Sequence, residues 1–209
     1  MPLEREIKLR FDSAEEARAR ILAFGATPLH GRRLQEDALL DTEDEMLRRE
    51  RATLRVRCEG GGKSRLTFKG PAAPGLIKIR EEYETVVADG AALLTILESL
   101  GLHVWFRYEK YREEFSADDV VIAIDETPVG VFVEIEGGEN GIHGAAWALG
   151  KTPADYITDS YRFLFLQHRD ANGLAGSDMV FAGLPADLSA EALSAKVEAP
   201  SAKVGRAGE

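Results

Sequence analysis

The amino-acid sequence predicts an α+β fold: a closed antiparallel β-barrel, charged on its inner face, with helices packed against its outside. Three observations predict it. Seven segments alternate ionised and apolar residues with period two, the signature of strands. Stretches with capping residues and helically spaced Leu or Ala fall between them. The polar face of the strands is almost wholly ionised, whereas an ordinary solvated sheet mixes charges with Ser, Thr, Gln and Asn.

The first strand, residues 4–11, places Glu4, Glu6, Lys8 and Arg10 on one face, opposite Leu3, Ile7, Leu9 and Phe11. Ser13 then caps a helix, with Glu16 completing a capping box and Gly25 ending it. No strand is assigned between Gly25 and Thr42, and the acidic run Asp41 to Glu45 reads as a solvated loop. Residues 53–58 bring Arg55 and Arg57 to one face and turn Cys58 away, beneath a helix. Residues 65–69 align Arg65 with Lys69, and residues 77–87 align Lys78, Arg80, Glu82 and Glu84. Asp89 caps a second helix, whose Leu93, Leu94, Leu97 and Leu100 share a face before Gly101. A charged strand followed by a capped helix ending in Gly thus occurs twice, near 4–25 and 78–101, a weak internal duplication. Residues 105–115 align Lys110, Arg112 and Glu114. Residues 120–125 form an apolar strand ending in Asp125, and residues 130–136 pair Glu134 with Glu136. A helix is expected over 141–149, and Pro153 opens a last one whose Tyr161 and Arg162 come within reach of the barrel mouth but are read as packing.

The domain spans residues 1–170. Residues 171–209 are rich in Ala, Gly and Ser and read as a flexible tail, with at most a short helix over 187–197. The 209 residues are 44% hydrophobic, enough for one substantial core. The net charge of −10 excludes a general nucleic-acid surface, which needs excess positive charge. No window approaches the roughly 18 apolar residues of a membrane span, and the start MPLEREIKLR lacks the apolar core of a secretory signal. One cysteine leaves no internal disulfide. The expected setting is the cytoplasm, as a monomer or homodimer with no polymeric nucleic acid and no membrane as partner.

The charged faces carry the chemistry. An isolated buried charge costs several kcal/mol, so an ionised interior must be wet, internally paired or filled by a ligand. Arginine forks match phosphate oxygens. Carboxylates in pairs suit hard divalent cations such as Mg²⁺ or Mn²⁺. A metal-chelated polyphosphate uses both sets at once.

Glu4-x-Glu6-x-Lys8 resembles the ExExK signature of the CYTH superfamily, the triphosphate tunnel metalloenzymes. Leu54-Arg-Val-Arg57, Leu66-Thr-Phe-Lys-Gly70, Arg80-x-Glu82-x-Glu84, Lys110-Tyr-Arg112, Ile124-Asp125 and Val133-Glu-Ile-Glu136 follow in the family's order, over residues 2–168. The resemblance implies an eight-stranded antiparallel tunnel with helices outside. It implies that Glu4 and Glu6 bind metal, Mg²⁺ or Mn²⁺, with Asp125, Glu134 and Glu136 completing the metal site or positioning water. It implies that Lys8, Arg55, Arg57, Lys69, Arg80, Lys110 and Arg112 hold phosphate oxygens of a small-molecule triphosphate. Lys8 is also placed among the catalytic groups, together with Glu82 and Glu84, which orient basic residues or the attacking nucleophile. Leu39 and Leu40 stand where the family often has aromatic residues, which leaves any base-stacking role there without its side chains.

Three activities follow as expectations. The first is a metal-dependent triphosphatase acting on inorganic triphosphate, thiamine triphosphate or a nucleotide. The second is a class IV adenylate cyclase making cyclic AMP and pyrophosphate from ATP. The third is a polyphosphate-binding module without catalysis, which would not need the carboxylates. Cys58, the four scattered histidines, and Trp105 and Trp147 are read as packing or surface residues.

Overall fold

The computed structural model describes residues 2–59 and 62–181. Eight strands run antiparallel and close into a barrel in the order β1-β5-β4-β3-β2-β6-β7-β8. They are β1 (Leu3–Phe11), β2 (Thr27–Thr42), β3 (Thr53–Glu59), β4 (Lys63–Lys69), β5 (Lys78–Val87), β6 (Leu102–Ala117), β7 (Val120–Thr127) and β8 (Gly130–Gly137). The helices are α1 (Ala14–Ala23), the single turn α2 (Met46–Arg49), α3 (Gly90–Ser99), α4 (Glu139–Ala148) and α5 (Tyr161–Asn172). The closed, helix-jacketed barrel expected from the sequence is the observed fold.

β1 closes the cylinder. Glu4 and Glu6 stand opposite Arg80 and Lys78 of β5, while Glu6 and Lys8 stand opposite Glu136 and Glu134 of β8. Side chains two apart share a face, so one register decides what faces the lumen on three adjacent strands. Outside, Ile7, Leu9, Ile122 and Ile135 pack under Ala17 and Ile21 of α1 and Ile142 and Ala145 of α4. α3 covers Ala38, Leu40 and Val56 through Leu94. α5 does something different. Its Tyr161, Leu164 and Phe165 pack against Phe106, Tyr108 and Phe132, which share the lumen-facing phase of Lys110 and Glu134, so α5 plugs one end of the barrel.

Several expectations are corrected. The region before Thr42 is no loop: residues 27–42 are one strand of 16 residues, pairing with both β3 and β6. Its alternation is broken by register shifts between Pro28 and Arg33, around Gly31, and that hid it. Asp41 is fully buried rather than solvated, because the backbone N–H groups of Thr42, Leu47 and Arg48 all donate to it. Pro153 opens only a short 3-10 turn, Pro153–Asp155, and the last helix starts instead after Ser160, whose hydroxyl accepts from the N–H of Phe163. Leu100 and Trp147 are exposed, whereas packing was expected of both.

The expected tail has a docked beginning. β7 leaves the edge of β6 unpaired beyond Tyr111, and the segment around Met179 adds there in parallel. The Met179 N–H donates to the Arg107 carbonyl, and the Glu109 N–H donates to the Met179 carbonyl. Met179 is fully buried. The rest of the expected tail, including the helix over 187–197, lies outside the described residues.

Candidate active site

The lumen is a cavity of about 1410 Å³, lined by charged side chains from seven of the eight strands and by the start of α5. Its ionic wall divides into three groups.

The first centres on the start of β1. Glu4 accepts from Lys69 Nζ at 2.6 Å and from Arg80 Nε at 2.8 Å. Glu6 accepts from Lys78 Nζ at 2.9 Å and Lys8 Nζ at 3.2 Å, and Lys8 reaches Glu134 at 3.2 Å as well. Burial alone would lower the Lys8 pKa, but Glu6 and Glu134 on either side raise it, so Lys8 stays an ammonium. Glu82 lies 3.2 Å from Lys69. Glu136 is pushed up to about 7, first by partial burial and then by the Glu4 and Glu82 carboxylates.

The second group joins β2, β3, β4 and β6. Asp37, fully buried, accepts from Arg57 Nε at 2.8 Å and lies 3.4 Å from Arg55 Nε. Arg55 also donates to the Tyr108 hydroxyl at 3.5 Å and to the Thr67 hydroxyl at 3.2 Å. Glu84 ties this group down, accepting from Arg65 at 2.5 Å and from Thr67 at 3.0 Å. Arg55 Nε and Arg57 Nη2 remain buried without a hydrogen-bond partner among the described residues.

The third group is built on Asp125, whose two oxygens accept four bonds. Arg112 donates from Nε at 2.7 Å and from Nη2 at 2.6 Å, Lys110 Nζ at 2.8 Å and the Tyr161 hydroxyl at 2.6 Å. Arg112 also bonds Glu134. The Tyr161 ring lies under both Lys8 Nζ, at 5.3 Å, and Lys110 Nζ, at 5.0 Å. Burial first, then the neighbouring Arg112 charge, lowers Lys110 to about 8.

All the residues singled out from the sequence therefore converge on one lumen, but Asp125 differs in kind. It is fully buried, stands outside the cavity lining, and its four hydrogen bonds hold Arg112, Lys110 and Tyr161 together. Sequence reasoning missed Asp37 and Tyr108, and it brought Tyr161 to the barrel mouth but read it as packing. Asp37 was findable, since Gln35, Asp37 and Leu39 keep period two. Tyr161 was not, because only the plug formed by α5 brings it to Asp125.

Among the described residues no three carboxylate, His or Cys side chains stand close enough to hold a metal as they are arranged, since lysines and arginines lie between them. The donor set nevertheless fits a hard divalent ion. It consists only of carboxylate oxygens, and Glu136, raised first by partial burial and then by the Glu4 and Glu82 carboxylates, would gain from the positive charge of such an ion.

The CYTH domain model matches residues 2–161. The chain belongs to the CYTH family. A candidate adenylate cyclase from Methanocaldococcus jannaschii is 29% identical over 135 residues, covering 64% of this chain and 76% of its own. Among solved structures, a candidate adenylate cyclase from Vibrio parahaemolyticus superposes with a TM-score of 0.70 at 19% identity, over 78% of this chain and 98% of its own. A candidate adenylyl cyclase from Hippeastrum, described as having a dominant triphosphatase activity, gives 0.59 at 19% identity over 83% and 97%. Those two structures share the fold with this CYTH chain. Among its described residues no helix is long and apolar enough to cross a membrane.

Proposed function

We propose that this CYTH protein is a divalent-metal-dependent phosphohydrolase of small triphosphates. The observation that carries the reading is the pair Arg55 and Arg57, each of which keeps one buried nitrogen, Arg55 Nε and Arg57 Nη2, without a hydrogen-bond partner among the described residues. An unsatisfied buried donor costs about 1–3 kcal/mol, and phosphate oxygens supply the acceptors these groups lack. Lys8, Lys69, Arg80, Lys110 and Arg112 line the same cavity and would share the phosphate chain.

Glu4, Glu6, Glu134 and Glu136 would hold Mg²⁺ or Mn²⁺, which supplies charge neutralisation at the phosphate oxygens when bound. Phosphoryl transfer needs chiefly positioning and electrostatic stabilisation, and the residues divide that work. Asp37 aims Arg57, Asp125 aims Arg112, and Lys8 remains a fixed positive charge. Lys110, lowered to about 8, can pass a proton from Nζ to a departing phosphate oxygen near neutral pH. Glu82, raised by burial and by Glu4, would orient an attacking water, while Glu84 holds Arg65 and Arg55 in line.

The name of the archaeal relative favours a second reading, in which the ribose 3′-hydroxyl of ATP attacks the α-phosphorus and pyrophosphate leaves. The two are separated by their products. Incubated with ATP or inorganic triphosphate and Mg²⁺ or Mn²⁺, the protein is expected to release orthophosphate. Cyclic AMP with stoichiometric pyrophosphate would replace the first reading by the second.

A further inference from the structure

β6 carries two groups of the lumen, Tyr108 and Lys110, on a stretch with a single strand neighbour. β2 pairs with β6 from Leu102 to Ser116, whereas β7 pairs with it from Tyr111 to Ala117. The other edge of Phe106 to Lys110 would therefore present bare N–H and C=O groups. The segment Asp178–Phe181 fills it. The Arg107 N–H donates to Asp178 Oδ1 at 2.8 Å, and the Met179 N–H donates to the Arg107 carbonyl at 3.0 Å. The Glu109 N–H donates to the Met179 carbonyl at 2.9 Å, and the Phe181 N–H donates to Glu109 Oε2 at 3.0 Å. The Phe181 ring lies 5.3 Å from that of Tyr111. Arg107 and Glu109 take these bonds, while Tyr108 and Lys110, one residue out of phase, line the lumen. The buried Met179 side chain packs in one cluster with Phe106 and Tyr108 of β6 and with Tyr161 and Phe165 of α5. Tyr161, Leu164 and Phe165 are the buried residues of α5, so Met179 is a main joint between the plug and the strand.

We infer that Met179 is a positioning residue of the active site: with its segment it fixes Phe106 to Lys110 of β6 against the start of α5, and so sets where Tyr108, Lys110 and Tyr161 stand. The inference rests on the phosphohydrolase reading and adds to it a part that lies beyond residue 161, where the CYTH match ends. Each of the three residues holds a group of the cradle. The Tyr108 hydroxyl accepts from Arg55, and Lys110 and the Tyr161 hydroxyl both donate to Asp125, which in turn fixes Arg112. Phosphoryl transfer depends on such positioning, and a displacement of about 1 Å can cost about a hundredfold in rate. A stretch bonded along one edge alone has more freedom to twist than one bonded along both, and the segment supplies the second edge.

The test separates positioning from stability. Met179→Ala and Met179→Leu are made in the full chain, and rates on inorganic triphosphate with Mg²⁺ are taken well below the melting temperature of the weaker variant. Met179→Ala is expected to lower kcat about tenfold, as a displacement of less than about 1 Å would, with KM changed less. Met179→Leu is expected to restore it. In a Lys110→Gln background, already slow, Met179→Ala is expected to cost little more, because the group it positions is gone. Amide hydrogen exchange needs no turnover: Met179→Ala is expected to speed it over residues 106–110 and to leave β7 and β8 protected. Should Met179→Ala fail to fold, Asp178→Ala, which removes the acceptor of the Arg107 N–H, carries the same comparisons. A folded variant with wild-type kcat, an equal fold-loss in both backgrounds, or unchanged exchange over 106–110 would overturn the inference. Failure of the phosphohydrolase reading looks different: the wild type itself turns over no triphosphate, and the exchange over 106–110 then decides the hold on β6 by itself.

Discussion

Arg57 donates through Nε to Asp37 Oδ1 at 2.8 Å, while Nη2 of the same guanidinium is buried with no partner among the described residues. One half of the side chain is fixed by the protein; in the proposed function the other half meets a phosphate oxygen. Removing one partner of a buried pair costs about 3–5 kcal/mol, so Asp37→Ala is expected to lower the urea midpoint substantially. The milder Asp37→Asn keeps a hydrogen-bonding carbonyl but not the charge. It is expected to raise KM for triphosphate about tenfold or more with a smaller loss of stability. Urea titration and initial rates on the same preparations separate the two effects.

Glu4 and Glu6 each hold two cationic side chains of the lumen. Glu4→Gln and Glu6→Gln are each expected to lower turnover by at least about a hundredfold, since a metal site contributes several kcal/mol of charge stabilisation. Circular dichroism should remain that of the folded barrel. Chelation by EDTA should abolish wild-type turnover, and added Mg²⁺ or Mn²⁺ should restore it. Full activity of either variant would remove these carboxylates from the metal site.

The strand bearing Glu4, Glu6 and Lys8 was legible in the sequence because nothing interrupts its period of two. So were Arg55 with Arg57 and Lys110 with Arg112. Asp37 escaped notice because its strand, β2, shifts register around Gly31 and so reads as loop at its start. Tyr161 was illegible for another reason. A residue on a helix that plugs a barrel end announces its contacts only in three dimensions, and no local periodicity encodes the bond from the Tyr161 hydroxyl to Asp125. The docking of Met179 belongs to the same class, since a free strand edge on β6 depends on where β7 stops.

Asp41 gives a pH-dependent prediction away from the cradle. Burial acts to raise its pKa, but the N–H groups of Leu47, Arg48 and Thr42 and the Arg48 guanidinium hold it below the usual carboxylate value. A pKa depressed in the folded state stabilises the protein above the unfolded value of about 3.9 and loses that contribution as the carboxyl protonates on acidification. Asp41→Asn is therefore expected to cost about 2–3 kcal/mol at pH 7. The gap between wild type and variant should shrink steadily below about pH 4. Chemical denaturation of both proteins across that range measures it.

Met179 is fully buried against Tyr108 and the plug formed by α5. Met179→Ala is expected to cost about 2–5 kcal/mol, which for a domain of this size lowers Tm by roughly 4–20 °C. Met179→Leu should restore most of it. If the alanine variant melts with the wild type, the docked segment contributes nothing to the barrel.

The most direct measurement is a crystal of the protein with Mn²⁺ and a non-hydrolysable triphosphate. The predicted result is a manganese anomalous peak among Glu4, Glu6, Glu134 and Glu136, with phosphate oxygens on Arg55 Nε and Arg57 Nη2. Manganese and phosphates found together on the barrel's outer surface, with those two guanidiniums unchanged, would contradict the account.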